Sequence, residues 1–305
     1  ISCLSSNLLD NATVKTFDAS TFSGNVQVAV ADDALDSTVT IKGGALTTDT
    51  VKSTYTGTAA DTLSMTGIEQ LELTVDDSAT TQVISTVNVS GAVGATTINL
   101  DMANADDFVL TGLTSAQTVQ ITTGVVTNGV NSVTATLADA TGAADSTTFK
   151  LKGANAGAIG DGLILVTNDI ETVNIYADSA ESITLASLAM TTATETLALN
   201  VTGDSALTVT ATHADVTTID ASGMATGGSV VQTGRSATDA STYTGSAGDD
   251  TFIMMNVGDV ISGGAGTGDT LDVNFTGALG AIAVDLSATG DQVASLNGLA
   301  NTAVQ

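Results

Sequence analysis

The chain has 305 residues, with 33 acidic against 6 basic side chains and a formal charge of −27. Such a surface repels phosphate backbones and anionic headgroups, and Lys15, Lys42, Lys52, Lys150, Lys152 and Arg235 form no basic patch, which argues against nucleic-acid binding and direct membrane insertion or adsorption. Hydrophobic residues make up 43% and mean hydropathy is +0.32, too apolar for charge-driven disorder, yet no apolar run approaches the roughly 20 residues that span a bilayer.

Thr, Ala, Val and Gly dominate, while Pro and Trp are absent. Thr and Val suit a pleated surface, and without Pro the commonest breaker of a strand ladder is missing. An all-β chain follows. The single cysteine, Cys3, allows no intramolecular disulfide. The start at Ile1 and the end at Gln305 lead us to expect a piece of a longer polypeptide.

Strand-like alternation begins at Asn25–Val30 and returns at Gln70–Val75 and Thr97–Leu100. Turn signals separate such runs at Asp32-Asp33, Gly43-Gly44, Asp76-Asp77, Asp106-Asp107 and Gly203-Asp204. The acidic clusters Asp32/Asp33/Asp36, Asp76/Asp77 and Asp106/Asp107 read as solvated turn carboxylates. Ala138–Ala144 favours loop over helix because of Gly142 and Thr141. Ile68–Leu73 resembles Ile170–Ile175, and the latter opens the clearest internal repeat.

That repeat has a 24-residue step: Glu171–Tyr176 aligns with Glu195–Asn200, then Ile183 with Leu207 and Leu185 with Val209. Val173 and Ile175 thereby align with Leu197 and Leu199. An inward-facing set at fixed spacing is what stacked rungs require. A right-handed parallel β-helix (β-solenoid) is the predicted fold, with Greek-key β-sandwich domains as the alternative.

His213, the one histidine, lies in a predicted turn beside Asp215, and no G-x-S-x-G is present to supply a nucleophile. One His and one Cys cannot build a zinc site from soft ligands. The chain therefore reads as non-enzymatic. Calcium-dependent polysaccharide lyase or secreted hydrolase chemistry, as a fragment, is the enzyme-class alternative, but Arg235 is the only arginine and aromatics are 3% of residues.

The segment Thr244–Val273 carries the chemistry. Gly245-Ser246-Ala247-Gly248-Asp249-Asp250-Thr251-Phe252-Ile253 fits the calcium repeat G-G-x-G-x-D-x-U-x except at Ser246. Nine residues on, Asp259 and Ile261 hold the places of Asp250 and Phe252. Gly263–Leu271 repeats the turn with one inserted residue, so that Asp269 and Leu271 arrive one position late. Calcium takes six to eight oxygen ligands, mixing carboxylates with carbonyls that Gly-rich turns can aim inward. The expected ligand set for Ca2+ is Asp249, Asp250, Asp259, Asp269 and Asp272. Nine-residue half-turns should place Asp250 near Asp269, with Asp259 on the opposite side. Past this segment, Ala294–Ala300 could form a short helical turn.

The Gly245–Asp272 block resembles the repeats-in-toxin (RTX) calcium repeat. Leu199–Thr210, leading to Thr218–Gly223, looks like bacterial surface-layer (S-layer) proteins of the type I secretion class. The similarity covers residues 165–305, and the first 160 residues in style. It implies a secreted, non-enzymatic structural protein that self-assembles into a calcium-dependent array on the extracellular cell surface, with a secretion signal beyond Gln305. The expected partners are further copies of itself and cell-surface polysaccharide. An adhesin or biofilm-matrix protein on the same scaffold is the alternative. The organisation expected is an N-terminal β region (1–56), a β-solenoid (57–240), RTX-like calcium turns (241–275) and the start of a following β segment (276–305).

Overall fold

A computed structural model describes residues 15–273 except 31–33, 57–59, 76–83, 103–106, 125–131, 154–162, 180–181, 191–196, 211–215, 226–229, 233–240 and 255–258, together with 2–3, 293–296 and 299–300. The described residues form strands and turns, with no helix among them. His213, Arg235, Asp32, Asp33, Asp76, Asp77 and Asp106 lie outside the described residues.

The chain winds as a right-handed β-solenoid. A front sheet of twelve strands runs from Ser2–Cys3 to Val260–Ser262, and a back sheet of twelve runs from Ala60–Thr62 to Leu299–Ala300. A short side sheet of four strands, from Thr16–Asp18 to Ala92–Val93, widens only the first rungs. Neighbouring strands in each sheet come from successive rungs and pair in parallel, for example Thr172–Ala177 on Leu197–Gly203. Greek-key sandwiches pair antiparallel, so the parallel ladders rule out the sandwich alternative. The last described pair, Val293–Leu296 and Leu299–Ala300, is an antiparallel hairpin where a helical turn was expected. Ala138–Ala144 is loop, as its Gly and Thr content predicts.

Period-two alternation explains the strands. In the front sheet Val28, Val51, Leu71, Ile98, Val119, Phe149, Ile175 and Val201 stack in register, each at most 1% exposed. Phe108, Val133, Leu165 and Leu188 form the matching row of the back sheet. Aromatic pairs join the two sheets across the core: Tyr55 with Phe108 at 6.0 Å and Tyr243 with Phe252 at 5.6 Å. Each such apolar side chain contributes about 1.5–3 kcal/mol by leaving water.

The repeat is irregular in a way that alternation conceals. Ile183 does face Leu207, and Leu185 faces Val209, at the expected 24-residue step. On the other sheet, however, Val173 faces Leu199 and Ile175 faces Val201, two residues later than the sequence alignment. A slip of two residues keeps the same side chains inward, so an apolar pattern fits both registers equally. The rungs are shortest where Thr242 faces Val260 and Thr251 faces Thr270, before the step lengthens again at Thr270 and Val293. These short rungs are close in length to two nine-residue half-turns.

The inward and outward assignments have an unequal cost. Leu165→Ala should lower unfolding free energy by about 2–5 kcal/mol, while its outward neighbour Val166→Thr should change it by about 0.5 kcal/mol or less, measured by urea unfolding. Equal effects would contradict the assigned register.

Candidate functional site: a ladder of corner carboxylates

At each corner of a solenoid the chain leaves a turn and starts a strand, and the first N–H groups there need acceptors. Asp250 supplies them at the corner that opens strand Thr251–Met254. Its Oδ1 accepts from the Val230 N–H at 2.6 Å, and its Oδ2 from the Ser246 N–H at 2.6 Å. The Ser246 hydroxyl donates to the same carboxylate at 2.9 Å. The Asp250 N–H donates onward to Asp269 Oδ1 at 3.0 Å, and its carbonyl accepts from Thr270 N at 2.7 Å. One aspartate thus ties three rungs together.

The structure places the five candidate ligands as follows. Asp250 and Asp269 stack on one side at successive rungs of the back sheet, as the nine-residue register predicts. Asp259 stands on the opposite side, where its Oδ1 accepts from Ser241 N at 2.8 Å at the start of a front strand. Asp249 is exposed, and its Oδ1 accepts from Thr267 N at 3.2 Å and Gly268 N at 2.9 Å. Asp272 lies within strand Thr270–Val273, paired across the ladder with Ile253. Asp249, Asp250 and Asp269 are therefore brought together, while Asp259 is not.

Ser246, the departure from the repeat, is buried and contributes to this corner. Its hydroxyl adds a donor to Asp250 and accepts from Gly248 N at 3.0 Å. Gly245 is needed for a separate reason: a Cβ there would fall 2.0 Å from the Gly263 carbonyl oxygen.

The same corner occurs at the other end of the molecule, and sequence reasoning missed it. Asp49 Oδ1 accepts from Val26 N at 2.8 Å, its Oδ2 from Gly44 N, and its own N–H donates to Glu69 Oε2 at 3.0 Å. Gly43 meets the Gly67 carbonyl as Gly245 meets that of Gly263. The signal was available: Gly43-Gly44-Ala45-Leu46-Thr47-Thr48-Asp49-Thr50-Val51 matches Gly263-Gly264-Ala265-Gly266-Thr267-Gly268-Asp269-Thr270-Leu271 at six of nine positions. A third station pairs Asp145 N with Glu171 Oε2 at 2.6 Å and Gly142 N with Asp145 Oδ2 at 2.9 Å. The resemblance of Ile68–Leu73 to Ile170–Ile175 thus includes a glutamate with the same role in both places. Elsewhere Asp36 is a turn carboxylate that accepts from the Thr38 N–H, whereas Asp107, expected in a turn, opens strand Asp107–Leu113 and accepts from the Ser132 N–H of the next rung.

Asp49 and Asp250 are fully buried and Asp269 is 5% exposed. Burial holds the Asp250 carboxyl above the ordinary aspartate value of 3.8, with the charge of Asp269 adding to it and the N–H donors opposing it. Burial raises Asp269 as well, helped by the neighbouring charge of Asp249. Among the described residues no three His, Cys, Asp or Glu side chains converge closely enough to hold a metal ion by themselves. The donor set therefore separates two kinds of carboxylate. Asp250 is occupied by N–H and O–H donors that a cation would strand in the interior, so it fits a structural role. Asp249, at the surface, accepts from the Thr267 and Gly268 N–H groups, and Asp269 accepts the Asp250 N–H.

Removing a buried acceptor leaves its donors unpaired, at roughly 1–3 kcal/mol for each group. Asp250→Ala and Asp49→Ala should each lower stability by about 2–4 kcal/mol in chelator-containing buffer, and Asp249→Ala by less than about 1 kcal/mol. Denaturant titration checks the order, and a larger loss for Asp249→Ala would overturn it.

The pH response follows from the same corner. Carboxyls raised above 3.8 in the fold bind protons more readily there, so stability grows as pH falls from neutral through their folded values towards 3.8. Asp18, Asp36 and Asp139 are lowered, chiefly by side-chain hydrogen bonds from Lys42, Thr38 and Thr141, and act below 3.8. Their contribution is present above that value and is lost as pH falls through their folded values. In chelator, melting temperature should thus rise from pH 7 to about pH 4 and then drop, with a shallower rise in Asp269→Asn. A monotonic fall from pH 7 would contradict it.

Comparison with protein-family models, with curated proteins and with solved structures finds no match to this chain.

Proposed function

We propose that this chain is a non-enzymatic structural segment of a secreted protein that self-assembles into a calcium-dependent array on the extracellular cell surface. The observation that carries the reading is the stacking of Asp250 and Asp269 at successive short rungs, with the exposed Asp249 beside them. Charge of one sign is concentrated there in a turn whose glycines keep the backbone close at hand.

The physical rationale is electrostatic. Lys42, Lys52 and Lys150 are already paired with Asp18, Glu72 and Asp178, so the surplus of acidic groups has few cations of its own. Chains of charge −27 repel one another at low ionic strength. Calcium held by Asp249 and Asp269 would neutralise charge at the corner and favour the ionised carboxylates. Because Asp250 is satisfied by protein donors, the metal governs assembly more than folding.

Light scattering and electron microscopy of the protein with calcium, then with excess chelator, test this reading. Ordered assemblies should form with calcium and disperse with chelator, while the far-UV circular dichroism of the β-fold persists. Asp249→Asn with Asp269→Asn should raise the calcium needed for assembly by about tenfold or more, as expected when two charged oxygens are lost from the ligand set. A protein that stays monomeric at every calcium concentration would overturn the proposal.

A further inference from the structure

The two broad faces of the solenoid differ in chemistry. Front strands from Thr50–Tyr55 to Val216–Met224 include Lys52, Glu72, Asp101, Lys150 and Asp220. The seven successive back strands from Asp107–Leu113 to Thr251–Met254 contain a single charged residue, Asp107. Its carboxylate is engaged by the N–H and hydroxyl of Ser132 at 2.9 and 2.6 Å. Outward on this face, Val109, Thr134, Val166 and Ala189 align in one row, with Ile164 beside it. All five are partly exposed. Their exposure leaves the row open to solvent among the described residues.

We infer that this back face is the surface by which copies of the chain associate, an inference that rests on the self-assembly reading above. Charge selects the occupant. On a chain of −27, two copies meeting through corners or through the front face bring like charges together. The seven-strand stretches of two back faces bring none except the engaged Asp107, with Asp61 and Asp272 in strands beyond them. Their Val, Ile, Ala and Thr side chains stand on flat pleated strands, and such surfaces stack about 10 Å apart. Seven strands spaced about 4.8 Å apart, each about 16 Å wide, give roughly 450 Å² per copy. That is below the roughly 1,200 Å² total of a stable pairwise complex, so one contact is weak. Repetition across an array makes it effective.

Two measurements on the purified chain in calcium test the inference. Val109→Lys with Val166→Lys places charge on the back face without touching the core, and Thr148→Lys with Asn174→Lys does the same on the front. The back-face variant should raise the concentration needed for assembly by about tenfold or more, and the front-face variant by less than about threefold. In a Cys3→Ser background, Val166→Cys should lose most of its maleimide reactivity on assembly, while Asn174→Cys keeps it. Unchanged assembly of the back-face variant, or equal reactivity of Val166→Cys in monomer and assembly, would overturn the back-face assignment while leaving self-assembly intact. Unmodified protein that never assembles would overturn both.

Discussion

A parallel solenoid satisfies its strand interiors automatically, because each rung pairs with the next, but its corners have no such provision. Among the described residues, three corners bring N–H groups of neighbouring rungs within hydrogen-bonding reach of one another. In this chain a carboxylate closes the corner. Asp49, Asp145 and Asp250 each accept N–H bonds at a turn and pass their own N–H to an acid one rung later. The net negative charge of the molecule is partly a consequence of this construction. Buried carboxylates are tolerable because hydrogen bonds to a charged acceptor are stronger than neutral ones and offset desolvation.

That constraint separates folding from metal binding. An aspartate in a Gly-rich nine-residue turn invites a calcium reading, and the sequence of Gly245–Leu271 supports it. Yet within one turn Asp250 and Asp249 face different surroundings: the first is enclosed by donors from two rungs, while the second faces solvent. The same Gly-Gly turn at Gly43–Val51 uses its aspartate as an internal cap as well. The motif thus describes first a way of closing a corner.

Much of the fold was legible in the residues. Alternating Val, Ile and Leu between Thr-rich positions defined the strands, and the fixed step of Ile183 to Leu207 defined the rungs. The nine-residue spacing placed Asp250 beside Asp269 and Asp259 across from them. What was not legible has physical reasons. A two-residue slip at Val173 and Ile175 leaves the inward pattern unchanged, so apolar periodicity cannot detect it. The role of Asp49 depends on Val26 and Glu69, far apart in sequence and adjacent only once the rungs stack. Exchange of Gly for Leu46 and Thr48 hid its kinship with the C-terminal turn, although those positions are not the ones that hold the carboxylate.

The most direct measurement is amide hydrogen exchange at Val230, Ser246 and Asp250 in calcium-free buffer. If carboxylates close the corners, these amides are protected about as strongly as those of the adjoining strands, with or without metal. Exchange at free-peptide rates until calcium is added would show instead that the metal, and not Asp250 and Asp269, holds the corner together.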